Sequence, residues 1–177
     1  SVDQLQPVVD NSDPNRLKIG NPDLKPQFDN SLNMNYYFYK GISDINFYAG
    51  SYFKQVNNEI NETTYFDSIG RSVTAPLNIQ GNYTGSAYLG GGFPIFKRFL
   101  KVYYYLNGSY NNNVSFLNRE KNTTTHTVIS PGLNLEREND KLTFGIGGNY
   151  QYNVPRQTIN PESVKPYYSY ELNARLR

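Results

Sequence analysis

From residue 31 onward, apolar and polar side chains alternate along the chain with a period of two. Between residues 31 and 39 the two alternating sets are Leu32, Met34, Tyr36 and Phe38 on one side and Asn33, Asn35, Tyr37 and Tyr39 on the other. Strict alternation is typical of a β-strand with one apolar and one polar face. The stretch therefore predicts a strand at residues 30–39.

Six further segments repeat this alternation, near residues 45–50, 77–92, 99–111, 125–137, 141–153 and 167–177. The segment at 125–137 is the weakest, because Pro131 at its centre cannot donate a hydrogen bond to a neighbouring strand. No segment shows a helical period with capping residues. The pattern predicts an all-β fold, an antiparallel up-and-down meander of about seven to eight long strands.

The connections between these strands alternate between short and long. Three are short, at residues 40–44, 94–98 and 138–141, and three are longer and more polar, at 55–76, 111–124 and 154–165. Short turns on one side and long loops on the other are typical of outer-membrane barrels, whose long loops lie outside the cell.

Strand length and face chemistry also favour a wall that crosses a membrane. A tilted membrane-crossing strand needs roughly 9–11 residues, and most of the alternating runs reach that length. The polar positions hold Asn, Gln, Ser, Thr, Gly and Tyr, with few Lys or Glu, and aromatic residues gather near the strand ends, as in aromatic girdles. We predict part of a transmembrane β-barrel. The alternative is a soluble, secreted or periplasmic all-β binding module for a glycan or small ligand.

Composition excludes several other classes of protein. The chain has no Cys, which rules out disulfides and thiol chemistry, and its net charge of +2 comes from interspersed residues that form no basic stripe for nucleic acid. No run approaches 18 apolar residues, so no transmembrane helix is expected. The single histidine, His126, lacks a nucleophile and an orienting group nearby. We expect no enzyme activity, no metal and no cofactor.

The N-terminal segment differs from the rest of the chain. It carries Pro7, Pro14, Pro22 and Pro26, which remove backbone donors and favour turns. We therefore divide the chain into an irregular extracellular loop at the rim, residues 1–29, with at most a short strand near 5–9, and a barrel segment at 30–177.

The stretch "GNPDLKPQ" at residues 20–27, preceded by "QLQPVVDNSDPNRLKI", resembles the outer-membrane barrel of TonB-dependent receptors, in particular the Bacteroidetes-type outer membrane protein beta-barrel family. The positions that match the family motif are Gly20, Asn21, Pro22, Leu24, Lys25 and Pro26. Gln27 stands where the family usually has Glu.

This resemblance implies energy-coupled uptake of a ligand across the bacterial outer membrane. The motif would lie at the outer rim, so that the strand at 30–39 descends towards the periplasm. A whole receptor would have about 22 strands and a plug domain that contacts an inner-membrane energy transducer. None of the plug is visible in these residues. An odd count of seven strands likewise predicts an incomplete barrel.

The polar face supplies the candidate ligand-contacting positions, because in a membrane barrel this face lines the lumen and the apolar face contacts outer-membrane lipid. The lumen candidates are Asn33, Asn35, Gln80, Asn82, Lys101, Tyr103, Tyr105, Asn149, Gln151, Glu171, Asn173 and Arg175. The glycine runs "YLGGGF" and "FGIGGNY" are interpreted as sites of curvature, since neither has the Lys-Ser/Thr of a phosphate loop. The sequence identifies no ligand.

Overall fold

The computed structural model describes residue 5 and residues 9–96, 99–139 and 142–176. Within them the chain forms eleven β-strands and two short 3-10 helices, at Gly41–Ser43 and Pro161–Ser163. The strands are β1 (Val9–Asp13), β2 (Arg16–Ile19), β3 (Phe28–Lys40), β4 (Ile45–Asn57), β5 (Glu59–Phe66), β6 (Ser72–Ile79), β7 (Asn82–Ile95), β8 (Leu100–Leu117), β9 (Glu120–Asn139), β10 (Leu142–Gln157) and β11 (Tyr167–Leu176). No helix in the described residues is long and apolar enough to cross a membrane.

Seven of these strands form the predicted antiparallel meander, in the order β3-β4-β7-β8-β9-β10-β11. This confirms the predicted fold class. The sheet is not closed, because in the described part of the chain β3 pairs only with β4 and β11 only with β10.

The register keeps the two faces separate across the whole meander. One lateral row on the polar face runs Asn33, Tyr52, Ser86, Ser109, Val128, Asn153, Tyr167. The adjacent row on the apolar face runs Met34, Ser51, Ala87, Gly108, Ile129, Tyr152, Tyr168. Because side chains alternate with a period of two, this register places every row of one face beside a row of the other.

The predicted strand at 77–92 is wrong as a single element, and so is the loop predicted at 55–76. Residues 59–79 form the hairpin β5–β6, and the chain then breaks at Gly81, whose φ of 99° lies in the left-handed region, before β7 begins. Glycine adopts this conformation without steric cost, whereas other residues do not. The sequence pattern continued across the break because Gln80 and Gly81 preserve its alternation.

The predicted loop at 111–124 is also wrong. Strands β8 and β9 continue to Leu117 and from Glu120, and they are joined by Asn118 and Arg119, with φ values of 50° and 69°. Two consecutive positive φ values define the tight turn that suits the twist of a hairpin. Val114, Phe116 and Leu117 are the only apolar residues between positions 111 and 124, too few to make an alternation visible in the sequence. At the third connection, β10 likewise extends to Gln157, and the loop to β11 is shorter than expected.

The described part of residues 1–29 is less irregular than predicted. Strands β1 and β2 form a hairpin, and the turn between them is held by the backbone N–H of Asn15, which donates to Oδ1 of Asp13 at 2.9 Å. β2 then pairs in parallel with β6. An aspartate that bonds the backbone two residues ahead favours such a turn even beside a proline. Residues 6–8, where most of a short strand was predicted, lie outside the described residues.

Buried apolar side chains lie where the β5–β6 hairpin meets β8, at the end of the sheet that the resemblance predicts to face outward and that we call the outer end. Among the described residues, Val73, Ile79 and Val114 are 2–4% exposed. β7 begins at Asn82, so residues 113–117 of β8 pair with β9 on one side but have no β7 partner on the other. β5 occupies that edge through a parallel bridge between Thr64 and Leu117. The hairpin thus extends the sheet beyond the meander.

Candidate functional site

The motif at residues 20–27, which we call the rim segment, runs beside β6 without forming a strand ladder. Its central contact is Asn78, whose Oδ1 accepts from the Lys25 backbone N–H at 2.7 Å and whose Nδ2 donates to the Lys25 carbonyl at 2.9 Å. The same Nδ2 donates to the Asn58 carbonyl at 2.8 Å. One side-chain amide therefore replaces the paired donor and acceptor that a neighbouring strand would offer.

Further side-chain amides bind the rest of the rim segment. Asn21 donates to the Pro76 carbonyl at 3.1 Å and accepts from the Asp23 backbone N–H at 3.0 Å, which makes a local turn at Pro22. Asn58 donates to the Pro26 carbonyl at 3.3 Å. Prolines lack the N–H that a ladder needs, and these amides satisfy the carbonyls instead. Of the other motif positions, Gly20 and Leu24 are half-buried.

Gln27 links the rim segment to the first long strand. Its Oε1 accepts from the Ile60 backbone N–H at 3.2 Å, and its Nε2 donates to Oδ1 of Asp29 at 3.0 Å. The other carboxylate oxygen of Asp29 lies 2.8 Å from Nζ of Lys54. A glutamate at position 27 would keep the first contact but would place a carboxylate against Asp29. The neutral amide therefore fits this environment better than the glutamate usual in the motif.

The tip of the β5–β6 hairpin is fixed by a single carboxylate. Oδ1 of Asp67 accepts from the backbone N–H groups of Ile69 and Arg71 at 3.0 and 2.9 Å, and Oδ2 accepts from Nε of Arg71 at 2.8 Å. The hydrogen bond from the Arg71 side chain, with the two backbone bonds, lowers the pKa of Asp67 below its ordinary value. The turn is therefore held most firmly when this carboxyl is ionised.

The register brings most of the predicted lumen residues onto one face. Ten of them share the polar face of the meander, namely Asn33, Asn35, Lys101, Tyr103, Tyr105, Asn149, Gln151, Glu171, Asn173 and Arg175. That this face is the lumen stays a prediction.

Two predicted lumen residues have structural contacts at the outer end instead. Gln80 lies between β6 and β7 and donates to Oδ1 of Asn58. Asn82 is 5% exposed, accepts from the Val114 backbone N–H at 2.6 Å and donates to Glu59. Both side chains join the β5–β6 hairpin to the meander.

Tyrosines that were not proposed as candidates also belong to this face. Tyr88 donates its hydroxyl proton to Oδ1 of Asn35 at 2.7 Å, and Asn35 donates to Asn33 at 2.9 Å. Tyr48 lies next to Tyr88, with ring centroids 6.2 Å apart. Each of the two rings is paired across the strands with a glycine, Gly50 or Gly90. Only the register between β4 and β7 shows these pairs, although the sequence placed Tyr48 on the polar face.

Charged side chains on the polar face concentrate near its two ends. At the end where β3 turns into β4 and β7 into β8, Lys101 forms an ion pair with Asp44, and Glu136 is the cross-strand neighbour of Lys101. At the other end Asp29 pairs with Lys54. Strands β4, β7, β8 and β9 carry no charged residue on the polar face between these ends, among the residues that the structure describes.

A comparison with protein-family models matches residues 1–176 to the outer membrane protein beta-barrel family. The chain belongs to this family. Neither the search of curated proteins nor the search of solved structures found a match.

Membership of the outer membrane protein beta-barrel family places the chain in the bacterial outer membrane and accounts for the geometry of its strands. β8, β9 and β10 have 18, 20 and 16 residues, longer than the roughly 9–11 that cross a bilayer. The β3–β4, β7–β8 and β9–β10 connections lie at one end of the sheet, so the surplus length lies at the other end, with the β8–β9 turn, the rim segment and the β5–β6 hairpin. In outer-membrane barrels the long connections face outward.

Proposed function

We propose that the chain forms part of the wall of a TonB-dependent receptor that takes up a ligand across the outer membrane. The polar face would line the lumen and the apolar face would contact outer-membrane lipid. Energy would come from an inner-membrane transducer acting through a plug domain, which residues 1–177 do not include. The observation that carries the proposal is the resemblance of residues 20–27 to the motif of TonB-dependent receptors, in a segment that Asn78 binds at one end of the sheet.

The rim segment has the properties of a fixed outer edge. Its contacts come from β5, β6 and the connection between β4 and β5, all at the end opposite the β3–β4 and β7–β8 turns. β3 leads directly away from the rim segment towards the turn between β3 and β4. This arrangement supports the descending direction of β3 that the motif implies.

The apolar face supports contact with lipid rather than a soluble role. Met34 and Leu133, on this face, are 57% and 52% exposed. A soluble binding module would cover such side chains with a second layer, because exposed apolar patches of this extent are rare in soluble monomers. We assign no catalytic role. His126 lies across from Asn111 on β8 and Pro155 on β10, and neither residue can act as a nucleophile or an orienting acid.

The lumen assignment is tested by cysteine labelling in intact cells, which is specific because the chain has no natural Cys. Asn107→Cys on the polar face should react with a membrane-impermeant maleimide. Its neighbour Leu106→Cys on the apolar face should react only after detergent is added. Equal reaction at both positions in intact cells would contradict the assignment of the faces.

Energy coupling is tested by growth. A deletion strain should lose growth on one limiting nutrient of a panel and recover it with the gene restored. The same nutrient should fail to support growth when the inner-membrane transducer is removed. Growth that needs the gene but not the transducer would show a passive pore and overturn the energy-coupled function.

A further inference from the structure

Four tyrosines on the polar face lie over glycines of a neighbouring strand. The cross-strand pairs are Tyr88 with Gly50, Tyr48 with Gly90, Tyr103 with Gly92 and Tyr105 with Gly132. A Cβ atom placed on Gly50 would lie 2.6 Å from Cζ of Tyr88, and one on Gly92 would lie 2.7 Å from Cδ1 of Tyr103. Each ring therefore occupies the space above its glycine.

Glycine has no Cβ, so each tyrosine ring approaches the neighbouring strand more closely than any other partner residue would allow. Tyr48 and Tyr88 keep 37% and 39% of their surface exposed, and their rings are tilted by 47° to each other. The four rings, which we call the platforms, thus lie close to the sheet and still present aromatic surface and a hydroxyl group.

The platforms follow one another along the strand direction. Tyr88 is nearest the rim segment, and Tyr48 and Tyr105 share the next lateral row through Gly90. Tyr103 lies one row further towards the turn between β7 and β8. Successive rows on one face are two residues apart, or about 7 Å. The rings therefore form a descending track on β4, β7 and β8.

The surroundings of the track are polar but uncharged. Ser86, Asn107, Ser109 and Ser130 line a concavity beside Tyr88. The charges nearest to its ends are the ion pairs Lys101–Asp44 and Asp29–Lys54, with Glu136 beside Lys101, so neither end carries an excess of positive charge. Glu171 lies on β11, two strands beyond β9, where Asn149 donates to it at 3.4 Å. Among the described residues, the track offers no free cation to an anionic ligand.

Exposed aromatic rings bordered by hydroxyl and amide groups suit a ligand with apolar C–H faces and many hydroxyl groups. We propose that Tyr48, Tyr88, Tyr103 and Tyr105 form a stacking track for a neutral oligosaccharide. The inference rests on the proposed lumen position of the polar face, and it adds the substrate class.

Binding is measured on the full chain refolded in detergent micelles, with maltohexaose, cellohexaose, chitohexaose and xylohexaose as probes and hexagalacturonate as the charged comparison. The chain has no Trp, so the emission comes from its 17 tyrosines, and the four platforms contribute to it. At least one neutral probe should give a saturable change, and hexagalacturonate should bind at least about tenfold more weakly. No saturable change with any neutral probe, or tighter binding of hexagalacturonate, overturns the track.

Variants separate binding from a purely structural role of the tyrosine–glycine pairs. Tyr88→Leu should weaken the affinity about tenfold, the value of one lost aromatic contact, whereas Tyr88→Phe keeps the ring and should retain it. Tyr150→Leu, a matched change on the apolar face of β10, should leave the affinity unchanged. If Tyr88→Leu shifts only the unfolding midpoint, or if Tyr150→Leu weakens binding equally, the track is wrong.

The outcomes also distinguish this inference from the proposed function. Failure of Asn107→Cys to label in cells would remove the lumen face and with it the track. Labelling at Asn107→Cys without binding of any neutral probe would remove the track alone and leave energy-coupled uptake of another ligand in place.

Discussion

Replacing Leu106 by arginine tests the two faces at the depth where they differ most. β8 starts at Leu100 beside a short turn, and about 9–11 residues cross the bilayer, so the crossing part ends near residue 110 and its centre is near residue 105. Leu106 lies on the apolar face between Leu89 and Pro131 and is 40% exposed. An arginine on the lipid face at the midplane costs about 2–4 kcal/mol.

The adjacent residue supplies the control. Asn107 lies on the polar face between Tyr88 and Ser130, where a guanidinium would extend into water. Asn107→Arg should therefore change the free energy of unfolding by less than about 1 kcal/mol. Both variants share the strand, the depth and the added charge, so only the face differs.

The assay is urea unfolding of the chain folded into phosphatidylcholine vesicles, followed by far-ultraviolet circular dichroism. Leu106→Arg should lower the midpoint at an unchanged slope, since the slope follows the surface exposed on unfolding. Equal destabilisation by the two variants, or a larger loss at Asn107, would refute the assignment of the faces and the lipid contact derived from it.

Three further predictions concern the outer end. Asn78→Ala removes both bonds to Lys25 and should lower amide protection at Lys25 by about 1–3 kcal/mol in hydrogen exchange; unchanged protection would contradict the docking of the rim segment. Gln27→Glu places a carboxyl against Asp29, and the repulsion raises the pKa of the new group. The variant should lose thermal stability at pH 7. The loss should shrink towards pH 4, where protonation of the new carboxyl restores the donor to Asp29. Because the pKa of Asp67 is lowered on folding, its contribution to stability is present above about pH 4 and is lost as the pH falls through the lowered value. Amide protection of the hairpin tip should therefore show an acid step that Asp67→Asn abolishes. A step that persists in the variant would exclude Asp67 as its source.

The sequence alone determined the meander and its faces. Alternation of apolar and polar residues is a local property, and it reports a strand whenever the two faces meet different surroundings. This is why Met34 and Asn35, or Leu106 and Asn107, were assigned to opposite faces in agreement with the register. Where apolar residues are few, as between residues 111 and 124, the signal weakens and the continuing strands were taken for a loop.

The motif was recognised in the sequence, but its contacts were not. Asn78, which holds Lys25, lies 53 residues away, and nothing in its neighbourhood marks it as a backbone partner. Likewise, Gln27 was noted only as a departure from the motif. The structure shows why an amide is suited there, since it must accept from Ile60 and donate to Asp29 at once.

The candidate binding track was decided by the tertiary structure. Tyr48 and Gly90, or Tyr105 and Gly132, become neighbours only through the register of their strands, although they lie 42 and 27 positions apart in the sequence. A shift of one residue would move each tyrosine off its glycine and exchange the faces. Local alternation therefore fixes which side of the wall a residue faces. The pairing of the strands fixes which residues it lies beside, and this second property places the four tyrosines over their glycines.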